Sequence, residues 1–254
     1  MSSNLLSESY WKDIRNDTFD LAVLPWGATE PHNYHLPYGT DNYETEALGK
    51  KAVEEANKKG ARSILLPGIP YGVNTGQADL KLAVNLNPST QARILEDIIR
   101  SVNNSGTRKF LILNGHGGND FKQILRELGA SFPDMILATC NWYQSVEKSR
   151  FFTKEGDHAD EMETSLMLHL YPRLVLPLEK AGSGRSRSFA VKALNEKWAW
   201  SERKWSRVTD DTGIGDPSHA NSQKGKEYFE AVVARLAELI YELYVTGMDG
   251  FYGE

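Results

Sequence analysis

Short apolar runs alternate with amphipathic helical patterns along most of this chain, and that alternation leaves few ways to fold it. Phe19-Asp-Leu-Ala-Val-Leu24 reads as a strand, Asp41 to Lys58 as a helix stopped by Gly60, and Ser63-Ile-Leu-Leu66 as a second strand. Pro88 to Val102 follows as a helix with Ile94, Leu95, Ile98 and Ile99 on one side. Then come strand Lys109 to Leu113, helix Phe121 to Ala130 and strand Met135 to Thr139. Strand–helix repetition of this kind predicts an α/β fold with a mainly parallel sheet and helices on both faces. A last helix, His219 to Val245, carries Phe229, Val232, Val233, Leu236, Leu239, Ile240 and Leu243 at helical spacing and is expected to pack on the sheet. Between them, Ala181 to Asp216 breaks the rhythm with Gly182-Ser-Gly184, a basic run at Arg185-Ser-Arg187 and three tryptophans, Trp198, Trp200 and Trp205. It is expected to be a long excursion serving as lid or subunit contact on a single domain of 254 residues.

Composition removes several function classes. A net charge of -5 gives no basic field for a phosphate backbone, which argues against nucleic-acid binding. No apolar run approaches the roughly 20 residues of a membrane span, and Met1-Ser-Ser-Asn-Leu-Leu-Ser-Glu-Ser lacks a signal-peptide profile, so a cytoplasmic protein with no membrane partner is expected. The one cysteine, Cys140, lies in the apolar run Met135 to Cys140 and reads as a packed thiol rather than a nucleophile.

The chemistry-bearing residues collect just after the strands. Leu24-Pro-Trp-Gly-Ala-Thr-Glu30-Pro-His32-Asn-Tyr-His35-Leu-Pro-Tyr-Gly-Thr-Asp41 holds two carboxylates and two imidazoles within twelve positions, and Asn114-Gly-His116-Gly-Gly-Asn119 follows another strand. In parallel α/β sheets, ligands gather beyond the carboxyl ends of the strands, so these segments are expected to meet at one site able to hold a divalent metal. Glu30 and His32, one residue apart, point the same way in extended backbone and can address one metal or two adjacent ones. Asp41 reads either as a bridging carboxylate or as the N-cap of the following helix. His35 would point away from His32. The glycines around His116 would let the backbone turn sharply towards a ligand.

A third segment, Asp157-His158-Ala-Asp-Glu161-Met-Glu163-Thr-Ser165, opens a helical pattern. Glu163 falls on the stripe of Leu166, Met167 and Leu170, where a carboxylate must be neutralised, hydrogen-bonded or bound to a cation; it is the ligand candidate. Glu161 falls with Thr164, Ser165 and Leu168 on a more polar side and is expected to support the site or be solvated. His158, placed at the helix start and off the apolar stripe, suits a general acid/base or a substrate contact.

These blocks, together with Thr212-Gly-Ile-Gly-Asp216-Pro-Ser, resemble the creatininase (creatinine amidohydrolase) family over most of the chain. The resemblance implies a three-layer α/β/α fold and hydrolysis of a small cyclic or linear amide. It also implies a two-metal site of zinc and/or manganese, with iron also admissible, and homo-oligomers, often hexamers. Carried over by motif, Glu30, His32, Asp41 and His116 are metal ligands with Asp41 bridging. Creatinine-hydrolysing members carry Tyr-Glu after the histidine of the second block, the Glu being a ligand, where this chain has Gly117-Gly118. Glu163 is then the expected replacement. Such members also have a tryptophan where Lys154 stands, which speaks against creatinine itself.

The reaction expected is metal-assisted amide hydrolysis, with His158 delivering a proton to the leaving nitrogen and Glu163 completing the catalytic metal set. Related alternatives are a metal-dependent deformylase or peptide-trimming hydrolase, or an inactive metal-binding scaffold.

Overall fold

The computed structural model describes residues 4–253; residues 1–3, which open the N-terminal segment read above, and residue 254 lie outside it. Four strands, β1 (Leu21–Trp26), β2 (Ser63–Leu65), β3 (Lys109–Asn114) and β4 (Ile136–Asn141), form a parallel sheet in the order β2-β1-β3-β4. Among the described residues, the helices of ten residues or more are α1 (Thr40–Lys58), α2 (Pro88–Asn104), α3 (Lys122–Ser131), α4 (Glu161–Leu170) and α5 (Ser222–Val245).

Because successive strand residues point to opposite faces, each strand feeds two cores. Leu21, Val23, Leu111, Leu113 and Ile136 pack with Leu48, Ala52 and Val53 of α1, Met162 and Leu166 of α4, and Tyr228, Val232 and Leu236 of α5. Ala22, Leu24, Trp26, Ile64, Phe110 and Ile112 face the other way onto Leu95 and Ile99 of α2 and Ile124 and Leu128 of α3. Both faces are covered, so the strands read as unbroken apolar runs. That is the three-layer α/β/α arrangement expected. Each core leucine taken out of water contributes about 1.5–3 kcal/mol, and truncating one costs about 2–5 kcal/mol because the cavity adds to the transfer loss.

The strands run further than their apolar runs. β1 continues through Pro25 and Trp26, and Pro25 is tolerated because its missing N–H faces the side where β2 has already ended, while its carbonyl still accepts from Ile69 N at 3.0 Å. At the carboxyl ends, Trp26, Asn114 and Asn141 lie in register, and Asn114 Nδ2 donates to Asn141 Oδ1 at 2.8 Å. Cys140 is half-buried on β4, and burial pushes its thiol up to about 12, so it is no nucleophile.

Residues 181–216 contain two short helices, Lys192–Asn195 and Trp205–Val208, and end in β6 (Ile214–Gly215), which pairs antiparallel with β5 (Gly156–His158). No helix among the described residues is long and apolar enough to cross a membrane.

Candidate metal centre

Six buried side chains from three segments converge beyond the carboxyl ends of β1 and β3: Glu30, His32, Asp41, His116, His158 and Glu163. The loop after β1 supplies the first two, the first turn of α1 supplies Asp41, and the loop after β3 supplies His116. Asn33, in the left-handed region at φ 55, turns the chain immediately after His32, and its side chain ties that turn to Gly182 of the excursion.

Each of the three histidines has one ring nitrogen against a backbone carbonyl. His32 Nδ1 lies 3.0 Å from the Glu30 carbonyl, His116 Nε2 3.0 Å from that of Val73, and His158 Nε2 3.0 Å from that of Pro31. A carbonyl only accepts, so those nitrogens carry the proton and the opposite ones face the carboxylates, the arrangement typical of metal-binding imidazoles. His32 Nε2 lies 2.9 Å from Asp41 Oδ1. His116 Nδ1 lies 2.8 Å from Glu30 Oε1 and 3.0 Å from Asp41 Oδ2. Asp41 thus turns one oxygen to each histidine, and its Oδ2 makes no aligned hydrogen bond.

Asp41 is not the helix cap that its sequence position allowed. The N-cap is Gly39, Asp41 sits in the first turn, and its carboxylate is drawn inward by the two imidazoles. Burial opposes ionisation of Asp41, but His32 and His116 hold its carboxyl far below the usual range. For His32, burial opposes protonation and Asp41 outweighs it, raising the ring to about 10; His116 is raised in the same sense by Glu30 and Asp41. Burial pushes Glu163 up to about 8 despite His32.

In the third segment, Glu163 reaches the cluster as the helix face predicted: its Oε2 lies 4.0 Å from His32 Nε2 and accepts the Ala159 N–H at 2.5 Å. Glu161 departs from one of its two expected places. It is not solvated but fully buried, accepting from Thr153 N at 2.9 Å and Lys154 N at 2.8 Å and paired with Lys224 of α5. Burial opposes its ionisation, and the Lys224 ammonium holds its carboxyl below the ordinary value. The polar helix side is buried because α5 and the 153–154 loop cover it.

His158 also departs from its expected place. It ends β5 rather than starting α4; Ala159, in the left-handed region at φ 49, makes the turn between them, and Asp160 caps α4 by accepting from Met162 N and Glu163 N. The His158 ring lies 4.0 Å from that of His32 and 4.7 Å from that of Trp205, centroid to centroid, with Nδ1 3.9 Å from Glu30 Oε1. Burial and His32 lower its pKa. His35 stays outside the cluster, its Nε2 2.8 Å from Thr164 Oγ1.

The glycines beside His116 act through closeness rather than through a left-handed turn, since none has a positive φ. A Cβ on Gly118 would press into the Val73 carbonyl and the His116 ring, whereas one on Gly117 would meet nothing nearer than Tyr143 Oη at 4.0 Å. A longer side chain at 118 is thereby excluded. Asn114 and Asn119 stood out in the sequence only as neighbours of His116, and their partners are set by the fold: Asn114 Oδ1 accepts from His116 N and Asn119 Nδ2, and Asn119 Oδ1 accepts from Val73 N and Gln91 Nε2. Gln77, whose Nε2 donates to Glu30 Oε2, had no local signal, whereas the Asp160 cap was readable from Asp160 and Glu163 three positions apart.

The donors fall into overlapping groups able to hold a cation, among them Glu30–Asp41–His116 and His32–Asp41–Glu163, which share Asp41. Three carboxylates buried against imidazoles offset most of the charge of two divalent cations, so the residues fit a two-metal group.

The family model Creatininase, described as creatinine amidohydrolase, matches residues 7–240. A creatinine amidohydrolase from Pseudomonas putida is 28% identical over 60% of this chain and 65% of its own length, just under two thirds. A mycofactocin precursor peptide peptidase from Mycobacterium ulcerans is 25% identical over 92% of this chain and 89% of its own. A 3-dehydro-scyllo-inosose hydrolase from Thermotoga maritima is 25% identical over 88% and 78%. Among solved structures, a candidate creatinine amidohydrolase from Bacteroides fragilis superimposes with a TM-score of 0.92 at 42% identity, covering 98% of this chain and 99% of that one. Creatininase structures described as Zn-Zn and Mn forms share the fold at 24% and 23% identity, each with a TM-score of 0.78 over 96% of this chain and 100% of theirs.

Proposed function

Because the chain belongs to the creatininase family, whose members are metal-dependent hydrolases, we propose that it hydrolyses a C–N bond of a small cyclic or linear amide at a two-metal centre. Glu30, Asp41 and His116 would hold one divalent cation and His32, Asp41 and Glu163 the other, Asp41 being common to both sets. The observation that carries this reading is the sharing of Asp41 between two complete donor groups, one oxygen turned to each histidine. Zinc or manganese suits imidazole and carboxylate donors of this kind.

Cations bound there supply Lewis acidity to the substrate carbonyl and ease ionisation of the attacking water. The protein's own groups do the rest. Glu30, Asp41 and Glu163 fix the charge of the site, and the carbonyls of Glu30 and Val73 fix the two liganding rings. His158 is held through Nε2 by Pro31, which leaves Nδ1 free towards Glu30. With Nδ1 unblocked, it suits taking a proton from water and passing it to the leaving nitrogen. Trp205 of the excursion walls that side. A homo-oligomeric, cytoplasmic enzyme belongs to the same reading.

A peptide-trimming hydrolase is the second reading, favoured by the peptide peptidase relative, which aligns with 92% of this chain against 60% for the creatinine amidohydrolase. Hydrolysis of creatinine, other cyclic amides, formyl amides and short peptides, assayed on chelator-treated protein before and after zinc or manganese, tests both. Turnover only with metal and on amides supports the proposal. Absence of turnover on every amide with two metals bound contradicts it.

A further inference from the structure

The turn Thr75–Gln77 brings one side chain to the metal centre that the scheme above does not use. Gln77 is buried, 2% exposed, and its Nε2 donates to Glu30 Oε2. The opposite orientation of the amide would set two acceptor oxygens against each other with no proton to share, so the carboxylate fixes which end is which. Oε1 is thereby committed as an acceptor, and no donor among the described residues reaches it. A buried carbonyl left unpaired is costly, so a group that relieves it is selected over one that does not.

The turn itself is held from outside. Thr75 Oγ1 is bonded to Glu202, a Cβ on Gly76 would press into the Arg203 carbonyl, and it would lie 3.3 Å from Trp205 Cδ1. Trp205 packs on His158, and Arg203 is paired with Asp157 beside it at 2.6 Å. The excursion thus clamps the turn that carries Gln77, so the amide is held in place before anything binds.

Resting on the two-metal hydrolase reading, we propose that Gln77 is a specificity-determining residue: its nitrogen holds Glu30 and its oxygen receives an N–H of the substrate. The site then takes small amides that keep a free N–H and discriminates against their N-alkylated counterparts. Neither charge nor metal choice provides that preference, because the matched compounds share the same carbonyl.

The test uses zinc-loaded full-length protein and two lactams, 2-pyrrolidinone and N-methyl-2-pyrrolidinone, with affinities measured by ligand-observed NMR and zinc content by elemental analysis. Wild type is expected to bind the N–H lactam about tenfold tighter, a loss typical of one unpaired buried group. Gln77→Met also removes the hydrogen bond to Glu30, so it is measured at saturating zinc with two ions verified, and there it is expected to bind both lactams alike. Equal affinity of the two lactams for wild type, no binding of the N–H lactam, or an unchanged preference in Gln77→Met overturns the inference. The wild-type arm needs no variant and stands if Gln77→Met fails to fold. Failure of wild type to take up zinc overturns the metal-centre reading instead, and zinc analysis separates the two.

Discussion

Glu163 Oε2 stands 4.0 Å from Nε2 of His32, on the open side of the ring whose other nitrogen is tied to the Glu30 carbonyl. That separation exceeds a hydrogen bond and lies within the span of two donors each about 2.0–2.2 Å from one zinc ion. A Cβ on Gly118 would press into the Val73 carbonyl and the His116 ring, so in the proposed centre the loop after β3 would contribute a single donor and α4 the carboxylate.

Asp41→Ala removes the one group common to both donor sets, and bound metal is expected to fall from about two per chain to one or none. His35→Ala, which breaks only the contact with Thr164 Oγ1, is expected to keep both. Elemental analysis after gel filtration checks the pair, and equal losses contradict the assignment of Asp41 as bridge.

Glu161→Gln is expected to keep both metals and lower folding stability by about 1.5–3 kcal/mol, because a buried charge-assisted contact with Lys224 is lost. Denaturant unfolding of the metal-loaded protein reads this out. Loss of metal with unchanged stability would mean that Glu161 rather than Glu163 serves the centre.

Adding one methyl at either of two adjacent glycines is expected to give opposite results. Gly118→Ala drives a Cβ into the Val73 carbonyl and the His116 ring and is expected to cut metal affinity at least about tenfold, in line with the loss on disturbing a ligand's support. Gly117→Ala is expected to be near neutral, since its Cβ meets nothing closer than 4.0 Å. Metal titration of the two variants compares them.

Metal uptake is expected to release protons at pH 7. In the metal-free protein burial opposes the charge on His32 but Asp41 raises it to about 10, and burial raises Glu163 to about 8, so both hold a proton that a metal must displace. A group whose pKa is raised on folding stabilises the fold below its unfolded value and loses that contribution as pH climbs through the folded one. The chelated protein is therefore expected to lose thermal stability between pH 7 and pH 10, while the metal-loaded protein holds it. Calorimetry in buffers of different ionisation heat counts the protons, and a proton count that does not fall as pH rises through 8 contradicts these assignments.

The layers were legible because strand–helix alternation is local, and the apolar runs of β1 and β3 carry both faces of the sheet in their own residues. Glu30, His32, Asp41 and His116 were legible because each follows a strand end or opens a helix. What depended on distant partners was not. Asp41 could be read as a bridging carboxylate or as a cap until the two imidazoles were in place, and Glu161 as support for the site or as solvated because a helix wheel does not contain Lys224. His158 looked helical because nothing in its neighbours announces a left-handed Ala159. Gln77 lies 47 positions from Glu30 in a turn fixed by the excursion, and no periodicity or motif reports such a pairing.

The measurement closest to the central claim is the metal content of Glu163→Gln against wild type, both reconstituted with zinc and analysed at matched folding by circular dichroism. An amide oxygen is a weaker ligand than a carboxylate and leaves cation charge uncompensated, so the variant is expected to hold about one zinc per chain where wild type holds about two, and to lose turnover. Two zinc ions retained at wild-type affinity in Glu163→Gln would contradict the account, because the second cation would then be held without the carboxylate of α4.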